Sequence, residues 1–144
     1  MKKIFFLIVL LSFSFVSAQE WEATYQDAVA TAKAEEKPII LVFTGSDWCP
    51  PCIRLKKRVL NSEEFNAYAK DNYVLYNADF PKKKKNELSE EKQLENNTLA
   101  KKYNPKDRFP HIVILDSKEN ILGKTSYKKE SVSTYLSILN NFLD

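Results

Sequence analysis

The two cysteines of the chain, Cys49 and Cys52, stand together in Trp48-Cys49-Pro50-Pro51-Cys52. Two cysteines scattered over the roughly 126 residues after the leader would fall at this spacing about once in 64, so the pair is read as one unit. Two thiols this close can interconvert between dithiol and disulfide. The placement adds reactivity: an apolar run comes just before, and Pro50 or Pro51 suits the first turn of a helix, where a missing N–H costs nothing. Unpaired amides and the positive end of the helix dipole there favour a thiolate at the first cysteine. The thiolate is the attacking form, so lowering the Cys49 pKa from about 8.5 raises its reactive fraction. Cys52, one turn further in and shielded, is placed to resolve a mixed disulfide formed at Cys49.

Other chemistries fit less well. A structural staple across so short a loop removes little unfolded-state entropy. Haem attachment needs a histidine after the second cysteine, and Ile53 stands there. Copper or zinc held by Cys49, Cys52 and His111 is the alternative from a different class, and it predicts stoichiometric metal in the purified protein. A non-catalytic binding domain is a third, and it predicts an ordinary Cys49 pKa. With only two glycines, Gly45 and Gly123, the chain has no phosphate-cradling loop, which removes dinucleotide and P-loop chemistry. One histidine and two cysteines cannot close a structural zinc site. A formal charge of +3 on 144 residues leaves no electrostatic footprint for nucleic acid.

The elements that must position the pair follow from periodicity. Tyr25, Ala28, Val29 and Ala32 mark a helix between Glu22 and Glu36, ended by Pro38. Ile39 to Phe43 reads as a strand buried on both faces. A helix opens at Pro50 or Pro51 and carries Ile53, Leu55, Val59 and Leu60; Asn61 or Ser62 then caps a continuation to about Lys70. Tyr73 to Ala78 is a second strand, and Phe80 to Asn86, with Lys82 to Lys85, is a solvated loop. Glu87 to Tyr103 is a helix anchored by Leu88, Leu94, Leu99 and Tyr103. His111 to Leu115 and Ile121 to Tyr127 form a hairpin. Val132, Tyr135, Leu136, Leu139, Phe142 and Leu143 line one face of a last helix. The order implies an α/β fold, a central mixed sheet with a parallel core and an antiparallel edge, and helices on both faces.

The first residues stand apart. Lys2 and Lys3, the apolar run Ile4 to Leu11 and Val16-Ser17-Ala18 make a secretory signal peptide over 1–18, leaving one domain over 19–144 with a charge of about +1. Its product is exported, periplasmic or secreted, with no stable membrane insertion after cleavage. In an oxidising compartment the two cysteines need a redox explanation.

With these residues assembled, the chain resembles the thioredoxin-like family, and specifically its exported thiol-disulfide oxidoreductases. The likeness runs from Trp21 to Asp144 and rests on Ile39 to Phe43, on Thr44-Gly45-Ser46-Asp47-Trp48-Cys49-Pro50-Pro51-Cys52, and on Arg108-Phe109-Pro110 leading into Ile112 to Asp116. The resemblance implies a thioredoxin-like fold and a cis bond at Pro110 facing the redox pair. It also implies a substrate-facing surface of Trp48, Pro50, Pro51, Phe109 and Pro110, in which Phe109 offers its backbone and Trp48 shields Cys49. Partners would be protein thiols or disulfides and an upstream redox protein, with no organic cofactor. Two departures stand out. Phe43 replaces the buried aspartate six residues before the first cysteine, and Leu75 replaces its lysine partner, so the usual proton acceptor for Cys52 is missing. Asp47 is an exposed loop acid without a catalytic role. Because Pro50 and Pro51 lack N–H groups, fewer amides stabilise the Cys49 thiolate, which inclines the pair toward a reductase.

Overall fold

A computed structural model describes residues 20–144. The signal-peptide reading of 1–18 lies outside the described residues. Four strands form one sheet, in the order β2 (Val74–Asp79), β1 (Ile39–Thr44), β3 (His111–Leu115) and β4 (Ile121–Thr125). The first strand, β1, is buried at every position, as its unbroken apolar run requires. It pairs in parallel with β2 and antiparallel with β3. The short β4 adds antiparallel to β3. The expected parallel core is thus a single parallel pair. An apolar run reports burial on both faces and says nothing of strand direction.

Alternation along β1 divides the interior into two layers. Ile40 and Val42 face one side with Leu75, Ile112 and Ile114, under the helices α2 (Pro50–Leu55), α3 (Glu63–Asn72) and α5 (Val132–Asn140). Ile39, Leu41 and Phe43 face the other side with Tyr76 and Val113, under α1 (Tyr25–Glu35) and α4 (Glu90–Tyr103). Helices therefore cover both faces of the mixed sheet. Each fully buried Leu, Ile or Phe here contributes about 1.5–3 kcal/mol.

Helix limits follow local chemistry. Thr24, Ser62, Ser89 and Ser131 each accept a hydrogen bond from an amide of the first turn. Ser89 starts α4 three residues later than the sequence pattern suggests. Glu36, in the left-handed region at φ 52°, closes α1 ahead of Pro38. Between α2 and α3 the chain makes a π-helical turn, Lys56–Leu60, in which the Asn61 amide reaches the Lys56 carbonyl at 2.9 Å. Two expected anchors fail: Leu88 lies before the Ser89 cap, outside α4, and Leu94 is 68% exposed, while Asn96 is fully buried. Asn96 holds the inward position because its amide donates to the Asp79 carbonyl at 2.9 Å and its oxygen accepts from Tyr76 Oη at 3.0 Å. Leu143 is also exposed, since α5 ends at Asn140 and the apolar stripe outruns the helix.

Candidate active site

At the C-terminal end of β1 the chain turns sharply. Amides of Trp48 and Cys49 both reach back to the Gly45 carbonyl, at 3.3 and 2.9 Å. The Trp48 ring packs over Gly45 in a place a Cβ would occupy, since one built there would lie 2.3 Å from Trp48 Cε2. Cys49 is the residue that caps α2, and its sulfur accepts from the Cys52 amide at 3.3 Å. Pro50 and Pro51 occupy the two positions in between, so the Cys52 N–H is the first amide the helix can offer. Cys49 and Cys52 are joined by a disulfide, with their Cα atoms 5.3 Å apart.

Both cysteines are covered, at 3% and 2% exposure, so shielding does not set Cys52 apart as expected. The bond itself covers part of each sulfur. The capping position, and not exposure, distinguishes the two. Pro50 is exposed and Pro51 half-buried on the adjoining surface.

Across the sheet, the register pairs Phe43 with His111, which brings the residues just before β3 beside the Gly45–Cys49 turn. Here the Phe109–Pro110 peptide is cis, and Pro110 is buried. Three polar contacts hold it. Asn104, itself 2% exposed, accepts from the Arg108 amide at 3.0 Å and donates to the Arg108 carbonyl at 2.9 Å. Ser126 Oγ donates to the Pro110 carbonyl at 2.8 Å. Phe109 meets the Trp48 ring edge-on at 5.3 Å, so two of the five residues expected to face a substrate form one aromatic corner.

Asp47 does more than sit in a loop. Its carboxylate accepts from the amides of Lys82 and Lys83 and from Asn86 Nδ2, each at 2.9 Å. These bonds, the Lys82 amide foremost, lower its pKa to about 2. They tie the lysine segment to the redox turn. Trp48 Nε1 donates to the Phe80 carbonyl at 2.7 Å, and Lys82 Nζ lies 3.9 Å from the Trp48 ring centroid. The stretch read as a solvated loop is therefore one wall of the site, although the lysine side chains remain exposed.

The reading of Phe43 and Leu75 as a replaced acid-base pair needs correction. Phe43 is fully buried and stacks on His111 at 6.1 Å, so that position offers no proton acceptor. Leu75 pairs with Ile40 and faces the opposite side of the sheet, whereas the neighbour of Phe43 is Ala78. Two side chains on opposite faces could not act as partners. On the Cys52 side, polar groups come from elsewhere. Thr44 Oγ1 lies 2.8 Å from Asn77 Oδ1 and 3.0 Å from Asp79 Oδ1, and Asp79 also accepts from the Ser46 amide at 2.9 Å. Thr44, Asn77 and Cys52 share the wall of a cavity of about 420 Å³. Sequence reasoning missed this group, as it missed Asn104 and Ser126; the only available signal was a threonine at the end of an otherwise apolar strand.

The metal reading loses its geometry. His111 shares the layer of Phe43, on the face opposite α2, and burial foremost, then Lys124 and Arg108, lowers its pKa. Among the described residues no three His, Cys, Asp or Glu side chains gather into a metal-holding group.

A dithiol that opens a helix off a central strand is the working part of thiol-disulfide oxidoreductases, and this chain is one. It belongs to the thioredoxin-like family, whose profile matches residues 20–117. A curated relative, the disulfide bond reductase DsbH of Chlamydia pneumoniae, is 33% identical over 124 residues, spanning 86% of this chain and 72% of that protein. A solved structure of a DsbH oxidoreductase superposes with a TM-score of 0.81 at 32% identity, over 88% of this chain and 85% of the other. A thioredoxin from Thermus thermophilus shares the fold at 18% identity, with a TM-score of 0.66 over 88% of each chain.

Proposed function

We propose that the chain is an exported protein-disulfide reductase. Cys49 is the nucleophile and Cys52 the resolving thiol. In the forward cycle the Cys49 thiolate attacks a substrate disulfide, forming a Cys49–substrate bond and releasing one substrate thiolate, which takes a proton. Cys52 then loses its proton and attacks Cys49, closing the Cys49–Cys52 disulfide and releasing the second substrate thiol. Two electrons pass from the dithiol to the substrate, and an upstream dithiol protein restores them by the same exchange in reverse.

One observation carries this reading: Cys49 caps a helix whose next two residues are prolines, so its sulfur receives a single amide from Cys52. A capped thiolate is nucleophilic, and one with few donors is only modestly stabilised, which favours the disulfide form and hence a reducing potential. The name of the Chlamydia relative supports the same direction. Export rests on the leader pattern of 1–18, and no helix among the described residues is long and apolar enough to cross a membrane. Trp48, Pro50, Pro51 and Phe109 form the surface that meets the substrate, with the buried Pro110 supporting Phe109 from behind.

The test is insulin reduction together with a redox titration. Cys49→Ser abolishes exchange, and Cys52→Ser accumulates a covalent mixed disulfide with substrate. Potentials of related dithiols span roughly −270 to −120 mV, and the value against glutathione falls toward the lower end. A result near −120 mV would reverse the direction. N-terminal sequencing of the exported protein finds Gln19 as its first residue.

A further inference from the structure

A groove of about 900 Å³ begins at the Trp48–Phe109 corner and runs away from the dithiol between α4 and the lysine segment. Its inner end is aromatic: Phe80 meets Phe109 edge-on at 5.6 Å, and Phe109 in turn meets Trp48. Along the α4 wall stand Leu94, 68% exposed, and Lys101. The opposite wall carries Lys82, and the exposed Lys83, Lys84 and Lys85 follow beside it. Asp107 is the one acid lining the groove. Asp47, beside Trp48, is engaged by two backbone amides and Asn86, and Glu91 and Glu95 stand on the far side of Leu94 and Thr98. Lys84, Lys85 and Lys101 join none of the ion pairs among the described residues. Lysines therefore flank a groove of mixed lining whose aromatic end adjoins Trp48 beside the redox pair.

We infer that this groove selects its substrates: it receives the chain segment beside the reacting cysteine of a partner protein, and it favours segments with an aromatic or aliphatic side chain flanked by aspartate or glutamate. The inference rests on the oxidoreductase reading above and adds the class of substrate. The apolar side chain packs on Phe80 and Phe109, where it loses water contact. Acidic neighbours meet Lys82 and Lys101, which steer the encounter and disfavour basic segments. The segment from Phe80 to Asn86 is thereby a specificity element, held against the redox turn by Asp47 and Trp48.

The test uses the reduced protein and two peptides. Each has one cysteine beside a phenylalanine and carries it as a glutathione mixed disulfide; aspartates flank it in one and lysines in the other. Turnover oxidises the protein and releases the peptide thiol and glutathione. The second-order rate for the acidic peptide exceeds that for the basic one by roughly tenfold at low salt, and the ratio falls toward unity at high salt. In the double variant Lys82→Glu/Lys101→Glu the ratio inverts. Each rate is normalised to glutathione disulfide alone, which reports on the dithiol without the groove. The salt dependence in the unmodified protein stands as an independent measurement should the double variant not fold. Equal peptide rates at all salt concentrations overturn the inference and leave the oxidoreductase reading intact. Failure to reduce either peptide or glutathione disulfide overturns both.

Discussion

Asp47, in the turn after β1, and His111, at the start of β3, have each been pushed away from the ordinary protonation range for a different reason. Asp47 accepts hydrogen bonds that hold its pKa down at about 2, below an unfolded value near 3.9. A depressed carboxyl adds stability that is present above pH 4 and lost as pH falls through about 2. The lysine segment thus stays clamped to the redox turn across the ordinary pH range. Asp47→Asn removes the charge and weakens the bonds to Lys82 and Lys83; hydrogen exchange at those two amides speeds up while the sheet amides are unchanged. His111 is depressed by burial, with Lys124 and Arg108 as adverse neighbours. Its unfolded form gains a proton near pH 6.5, which the folded form resists. Stability is therefore full above about pH 6.5 and declines as pH falls toward the lowered native pKa. Urea midpoints of the wild type at pH 7.5 and 5.5 differ in that sense, and His111→Asn flattens the difference. A wild-type midpoint independent of pH in this window contradicts the assignment.

The elements separate what the sequence encodes locally from what only the fold creates. β1 was legible because six consecutive buried positions leave a run of apolar residues, and the dithiol was legible because its spacing and its prolines are local. The inward face of α4 was not, because Leu94 and Asn96 reverse the ordinary burial preference. Asn96 is inward only because strand β2 presents a carbonyl and a tyrosine hydroxyl to it. The same holds for the loop before β3. Nothing in the sequence marks Asn104 as a support, since its partners, the Arg108 amide and carbonyl, converge only when the chain turns into the cis peptide. Asn104→Ala removes two part-buried hydrogen bonds and costs about 1–3 kcal/mol in chemical denaturation, roughly 0.5–1.5 for each. It also loosens the Phe109 wall, so insulin reduction slows more than exchange with a small disulfide. Equal slowing of both would place the effect in the dithiol.

At the scale of the whole molecule, the redox state and the stability of the fold are two sides of one thermodynamic cycle. Converting the Cys49–Cys52 disulfide to a dithiol has one free energy in the folded protein and another in the unfolded chain, and the difference must equal the difference in stability between oxidised and reduced forms. In the fold the Cys49 sulfur has a single amide donor, from Cys52, because Pro50 and Pro51 supply none, and Phe43 and Ala78, on the opposite face of the sheet, offer it no acid-base pair. The fold therefore does little to stabilise the dithiol relative to the unfolded chain, while the six-residue helix and the turn at Gly45 hold the cysteines at bonding distance. The oxidised protein should be the more stable form. Calorimetry at neutral pH then gives a higher Tm for the oxidised protein than for the protein reduced with dithiothreitol, and 30 mV of potential corresponds to about 1.4 kcal/mol of that difference. The opposite order, with the reduced protein melting higher, would mean that the fold stabilises the thiolate through groups other than the Cys52 amide. It would then make the protein an oxidant, and the cavity wall shared by Thr44, Asn77 and Cys52 would be the first place to seek the stabilising groups.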